Sequence, residues 1–214
     1  FKKNRGRYIE NSIDIRSQEA LKECTLNYKP DIVIHLAAQA LVRKSYDDPL
    51  LTWSTNVMGT LNIMESVRQL KNRCAVVVVT TDKVYNNQEW DHSYRENDEL
   101  GGHDPYSASK AAAELAIQSW RASFCGELEH QINHVKVATA RAGNVIGGGD
   151  WAENRIVPDI IKAILNKKTI EIRNPDATRP WQHVLEPLGG YLVIAEKLYS
   201  YQGQDNPYTT SFNL

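Results

Sequence analysis

The chain has 214 residues, 42% of them hydrophobic and 24% charged, with a formal net charge of -1. That is enough chain to bury a sizeable core, and the balanced charge with no basic run offers no electrostatic footprint for nucleic acid or an anionic membrane. No apolar run approaches the roughly 20 residues of a spanning helix, and three widely spaced cysteines with no CxxC pair read as reduced thiols of a cytoplasmic protein, with Cys74 in the core.

In chain order, "FKKNRGRYIE" has no periodicity and no signal-peptide pattern. Ser17 to Tyr28 reads as a helix, with Pro30 beyond its end. Asp31 to Leu36 is a short β-branched apolar run, expected as a buried strand. Pro49 to about Leu70 has helical spacing, and Cys74 to Thr80 is the next strand. Pro105 to about Phe124 is a second long helix, rich in alanine. His134 to Arg141 reads as a strand, Ile156 to about Asn166 as a helix, Thr169 to Ile172 as a short strand, Leu185 to Tyr199 as a helix, and the last residues as extended. Strands alternating with helices predict an α/β fold with a parallel sheet covered on both faces. A start at Phe1 and an end inside a strand pattern lead us to expect a piece of a longer chain.

In such a sheet, ligands bind outside the carboxyl ends of the strands. Three polar or glycine-rich segments follow strand ends here: "AAQALVRKS", "TTDKVYNN" and "AGNVIGGGDWAENR". The second sets Thr80, Thr81, Asp82 and Lys83 directly after five apolar residues. Ionisable groups at a buried strand end are costly unless they are paired or used. Tyr106 and Lys110 are spaced i, i+4 and share a helix face. A lysine ammonium beside the phenol is expected to lower its pKa and make it a general base on an alcohol, with Thr81 hydrogen-bonding the same alcohol. His130 and His134 have the spacing of some zinc sites, but no glutamate lies between them, and no metal is assigned. Each motif alone has a plain structural reading, as a solvated turn, an ordinary helix pair or a flexible loop.

Tyr-x-x-x-Lys after a strand ending in threonine resembles the extended short-chain dehydrogenase/reductase family. "DIR" at Asp14 to Arg16 is similar to its adenine-contacting loop. "HLAA" at His35 to Ala38 is similar to the strand end along the cofactor, and Thr55 to Glu65 to its central helix. "RAGNVIGGGD" and "RPWQHVLE" are similar to its substrate-side segments. The resemblance implies a Rossmann-like, doubly wound sheet. It implies a partial NAD-binding domain over 1–148 and mainly a substrate-binding subdomain over 149–214, with segments returning to the first. NAD is the implied cofactor, bound by Asp14, Ile15, Leu36, Ala37, Ala38, Thr55, Tyr106 and Lys110. The family's Gly-x-x-Gly-x-x-Gly loop is absent from the sequence. The resemblance therefore implies that this loop and two strands precede Phe1, and that the chain alone holds a dinucleotide poorly.

Thr-Asp-Lys in place of Thr-Asp-Glu resembles the nucleotide-sugar 4,6-dehydratases, and among them those acting on CDP-glucose. The resemblance implies Thr81, Asp82, Lys83, Tyr106 and Lys110 as the catalytic set. Asp82 is then the acid and Lys83 the base of a water elimination, with their side chains pointing apart. Burial would raise the first pKa and lower the second. Gln39, Arg43, Asn144, Arg155, Arg179 and His183 are expected around the nucleotide sugar, the arginines because a guanidinium fork matches phosphate oxygens. A homodimer, or a dimer of dimers, built on the two long helices is implied, as is a role in dideoxysugar synthesis for surface polysaccharide such as O-antigen. The alternatives are another nucleotide-sugar dehydratase, a UDP-sugar 4-epimerase, or a catalytically silent NAD-binding or scaffold domain.

Overall fold

The computed structural model describes residues 8–125, 134–170, 172–203 and 205–214. Four parallel strands form the main sheet: β1 (Ile32–His35), β2 (Cys74–Val79), β3 (Val135–Arg141) and β6 (Ser211–Asn213), in the order β1-β2-β3-β6. One face carries α4 (Gly59–Arg68) and α5 (Pro105–Phe124), with α1 (Gln18–Tyr28) packed on α4. The other face carries α7 (Leu185–Ser200). This is the α/β arrangement with a parallel sheet covered on both faces that the alternation of elements predicted, and the doubly wound, Rossmann-like form that the resemblance implied.

Strand periodicity divides the core. Successive side chains point to opposite faces, and paired residues of parallel strands share a face. Val76, Val78, Val135 and Val137 therefore meet Met64, Val67 and Ile117 on the α4–α5 side, with Cys74 among them. Ala75, Val77, Ala138 and Ala140 meet Tyr191, Ile194, Ala195 and Leu198 on the α7 side. Both faces of β2 are covered, which is why its sequence is continuously apolar.

The same parity brings polar residues together where the apolar run stops. Thr80 follows Val78 on the α5 face, Thr139 and Arg141 follow Val137, and Ser211 pairs with Thr139. All four point at Glu114 of α5. Glu114 accepts from the Thr80 hydroxyl at 2.5 Å, the Thr139 hydroxyl at 2.9 Å, the Arg141 guanidinium at 2.8 Å and the Ser211 hydroxyl at 3.2 Å. Both charged side chains are fully buried. Arg141 also donates to the Tyr85 hydroxyl at 2.7 Å and to the Glu96 carbonyl at 2.9 Å.

Three expectations change. β1, expected to be buried, is an edge strand of the described sheet, and Ile32 is 45% exposed. The helix expected from Pro49 to Leu70 is divided into α3 (Pro49–Trp53), a π-helical stretch Ser54–Met58, and α4. Apolar spacing alone does not distinguish i→i+4 from i→i+5 bonding. Thr169, Ile170 and Ile172 form no strand, and Glu171 lies outside the described residues. Instead, a two-stranded parallel sheet joins β4 (Asn144–Ile146) to β5 (Trp181–His183). Three-residue strands are too short to leave a period in the sequence.

Breaking the buried pair is expected to cost more than removing it. Arg141→Met alone leaves the Glu114 carboxylate buried without its countercharge and should lose roughly 3–5 kcal/mol of stability. Glu114→Gln combined with Arg141→Met should lose markedly less. Equilibrium denaturant unfolding of the two variants checks this order.

Candidate active site

The carboxyl end of β2 leads into a 3-10 turn, Asp82–Val84, with Thr81 at its cap. The Thr81 hydroxyl donates to Asp82 Oδ1 at 3.0 Å and accepts from the Lys83 amide at 3.4 Å. Asp82 and Lys83 are half-buried, and among the described residues they form no ion pair with each other. The Asp82 amide donates to the Ala142 carbonyl at 3.0 Å, which ties the turn to the end of β3.

α5 begins at a fixed point. Asp104 accepts from the Tyr106 and Ser107 amides, both at 3.0 Å, and the Asp104 amide donates to the Ser107 hydroxyl at 3.2 Å. Pro105 occupies the first helical turn, where its missing N–H costs nothing. Gly102 passes so close that an added Cβ would sit 2.4 Å from the Ala108 nitrogen. The cap and this close passage set Tyr106 two residues after the cap, against Thr81.

Thr81, Asp82, Lys83 and Tyr106 line one cleft of about 1170 Å3. Its other walls come from α2 (Val42–Asp47), the β4 loop, α6 (Ile156–Leu165), and the segment from Thr169 to Trp181. Arg43, Asn144, Arg155 and Arg179 line it, as the sequence led us to expect. Arg155 is tied to Asp150 at 2.9 Å, and Arg43 and Arg179 are exposed.

Two expected substrate residues do not line the cleft. Gln39 is buried, and its amide is used inside the fold, donating to the Leu41 carbonyl at 3.1 Å and the Thr52 hydroxyl at 2.9 Å while accepting from the Leu41 amide at 2.7 Å. His183 is exposed, and its Nδ1 accepts from the Leu185 amide at 3.3 Å. Arg173 lines the cleft and was not anticipated. It donates to Asn154 Oδ1 at 2.8 Å and lies 3.7 Å from Asp159. A single arginine after "TIEI" carries no pattern in sequence that separates it from a surface charge.

The Tyr106–Lys110 expectation needs correction. Burial pushes the Tyr106 phenol up, against the hydrogen-bonding effect of Thr81 and the positive charge of Arg155. Lys110 does not lower it here. Its ammonium turns back to the Val79 carbonyl at 3.0 Å, and burial pulls its own pKa down to about 8, with Glu114 opposing that fall.

Apart from Tyr106, the residues expected at a dinucleotide lie off the cleft. Leu36 and Ala37 are exposed at the end of β1, and Ala38 and Thr55 are half-buried. The Ile15 carbonyl accepts from the Asn62 amide at 3.0 Å. Asp14 is exposed and paired with Arg16, whose hydrogen bonds hold its carboxyl at about 2. These residues fit part of a dinucleotide. Leu36 offers open apolar surface, and the three-donor Lys110 ammonium makes one hydrogen bond among the described residues. His134 uses Nε2 on the Leu70 carbonyl at 2.8 Å, and His130 lies outside the described residues.

A family model described as GDP-mannose 4,6 dehydratase matches residues 2–201. The chain belongs to that family. It is 52% identical to the CDP-glucose 4,6-dehydratase of Salmonella typhimurium, over 87% of this chain and 52% of that protein. It is 30% identical to the dTDP-D-glucose 4,6-dehydratase of Dictyostelium discoideum, over 86% of this chain and 42% of that protein. The chain thus spans about half the length of these curated relatives. A Streptomyces venezuelae dTDP-glucose 4,6-dehydratase structure with NAD bound matches the fold at a TM-score of 0.76 and 23% identity, over 94% of this chain and 56% of that one. A Thermotoga maritima UDP-glucose 4-epimerase matches at 0.77 and 20%, over 95% of this chain and 61% of that one.

His35 gives a pH test of this end of the sheet. The Thr60 hydroxyl donates to the Asn56 carbonyl at 2.7 Å, so His35 Nε2 donates to Thr60 across 3.1 Å. Burial, then the Lys110 charge, lowers the His35 pKa from 6.5 to about 4. The unfolded chain therefore binds the extra proton between these values. The stabilisation is complete above about pH 6.5 and is lost as pH falls through about 4, in total roughly 3 kcal/mol. His35→Gln should remove that share of the acid-induced loss, read from unfolding free energies at pH 7 and pH 4.5.

Proposed function

We propose that the protein carrying this chain dehydrates CDP-glucose to CDP-4-keto-6-deoxyglucose, with NAD as its cofactor. The observation that carries this reading is that Asp82 and Lys83, not paired with each other, line the same cleft as Tyr106 and Thr81. An epimerase needs only one proton exchanged at carbon 4, whereas a dehydratase also needs a base at carbon 5 and an acid at carbon 6. The identity to the Salmonella enzyme supports CDP-glucose among the possible substrates.

NAD, when bound, would supply the hydride acceptor for carbon 4 and the hydride donor for carbon 6. Tyr106 takes the carbon-4 hydroxyl proton, and Thr81 holds that oxygen by a hydrogen bond. The resulting ketone acidifies the carbon-5 proton, which Lys83 removes. Asp82 protonates the departing carbon-6 hydroxyl, which leaves as water. A proton returns to carbon 5 from Lys83, and Tyr106 releases its gained proton to solvent while Asp82 takes one back, so the residues end as they began. Arg43, Arg155, Arg173 and Arg179 supply the positive charge that a diphosphate needs. Leu36, Ala37, Ala38, Thr55, Asp14 and Ile15 are proposed on the cofactor side, together with Lys110. We extend the proposal to a cytoplasmic homodimer formed through α3, the π-helical stretch after it, α4 and α5, where Leu50, Met58 and Leu115 are more than half exposed.

CDP-glucose deuterated at carbon 4 tests the reading by NMR of the product. Deuterium in a new carbon-6 methyl group supports it, whereas deuterium kept at carbon 4 with inversion there would identify an epimerase. The two side chains should separate the steps. Lys83→Met should lose exchange of the carbon-5 proton with solvent, while Asp82→Asn should keep that exchange and lose methyl formation. Each should slow turnover about 10²–10⁴-fold.

A further inference from the structure

Lys110 and Tyr106 sit on one helix, and a single carboxylate fixes that helix to the sheet. Glu114 lies one turn beyond Lys110 and two turns beyond Tyr106. Its two oxygens collect donors from β3 and β6 and from Thr80, the first residue beyond β2. Thr80 and Arg141 sit just beyond and at the carboxyl ends of β2 and β3, Thr139 lies two residues inside β3, and Ser211 pairs with it at the start of β6. A helix held at such a point can neither rotate nor slide without breaking several buried hydrogen bonds at once.

The same carboxylate is also a charge. Lys110 is buried, with the Val79 carbonyl as its hydrogen-bond acceptor. From β1 the facing titratable group is His35, whose own pKa the Lys110 charge helps to lower. From its own helix the groups are Tyr106, Glu114 and Arg121, and from β3 the group is Arg141, committed to Glu114. Beyond β2 stand Asp82 and Lys83. Among these, Glu114 is the negative charge that acts on Lys110. Burial pushes the Glu114 carboxyl up, but Arg141, Thr80 and Thr139 outweigh it and keep it ionised.

We propose that Glu114 is a positioning residue of the dehydratase, registering α5 against three strands and supplying the countercharge that keeps the buried Lys110 an ammonium. This rests on the function proposed above, because Lys110 and Tyr106 matter only if the cleft is catalytic. Glu114 touches neither substrate nor cleft; it acts through its two neighbours on α5.

The test uses Glu114→Gln, which keeps an oxygen acceptor for one of the two threonines and removes the charge. Glu114→Gln/Arg141→Met serves where the single variant does not fold. In the protein carrying this chain, the Lys110 titration is followed by the NMR signal of its Cε carbon, assigned by its loss in Lys110→Met. The wild-type midpoint is expected near pH 8. In either Glu114 variant it should fall so that proton affinity drops at least tenfold, and the alkaline limb of the pH–kcat profile should move down with it. An unchanged Lys110 midpoint in a folded variant overturns the proposal. A wild-type protein that does not dehydrate CDP-glucose sinks the functional reading instead, and the midpoint comparison then decides by itself whether Glu114 sets the Lys110 charge.

Discussion

The carboxylate of Glu114 is the point on which the active end of this fold depends. A buried ion pair is rarely a source of net stability, since desolvation consumes most of the Coulombic attraction. What Glu114 and Arg141 supply is registration. The apolar packing of Val76, Val78, Val135 and Val137 against Met64, Val67 and Ile117 tolerates a helix placed slightly higher or lower. Hydrogen bonds from Thr80, Thr139, Arg141 and Ser211 do not. The hydrophobic core thus attracts α5 to the sheet, and the polar cluster decides where along the sheet it stops. β6 takes part through Ser211 and through Asn213, which accepts from the Tyr85 hydroxyl at 2.6 Å, so the last strand is bound into the same device.

Much of this was legible in the sequence because it rests on local rules. The valine run of β2 announces a strand covered on both faces. Pro105 announces the start of α5. Thr81, Asp82, Lys83 and Tyr106 meet in one cleft because strand ends in a parallel sheet converge there. What the sequence did not disclose depends on three-dimensional context. Glu114 reads as one more charged residue on an alanine-rich helix, since nothing in a linear pattern says that four donors from the sheet will face it. Arg173 was invisible for the same reason, and Gln39 was misplaced because a glutamine after a strand end looks available until Leu41 and Thr52 claim its amide.

The Tyr106–Lys110 spacing shows how a correct motif can carry the wrong electrostatics. Sharing a helix face brings the residues close, but the ammonium goes to the acceptor that satisfies it best, and in the free fold that is the Val79 carbonyl. With its charge directed there, burial governs the phenol and pushes it up. The lysine's influence on the tyrosine is therefore conditional on what else occupies the space beside them.

A related geometric point makes the Asp82–Lys83 dipeptide chemically useful. Side by side on an extended strand, two neighbours point to opposite faces, and only one would reach a cleft. On an α-helix they would diverge by about 100°. The 3-10 turn here has about three residues per turn, so consecutive side chains diverge by about 120°. Both line the cleft, and among the described residues they form no ion pair with each other. Thr81 reinforces the separation by giving the Asp82 carboxylate a hydroxyl partner of its own. An acid and a base can stay adjacent in sequence without becoming an ion pair because the chain turns between them.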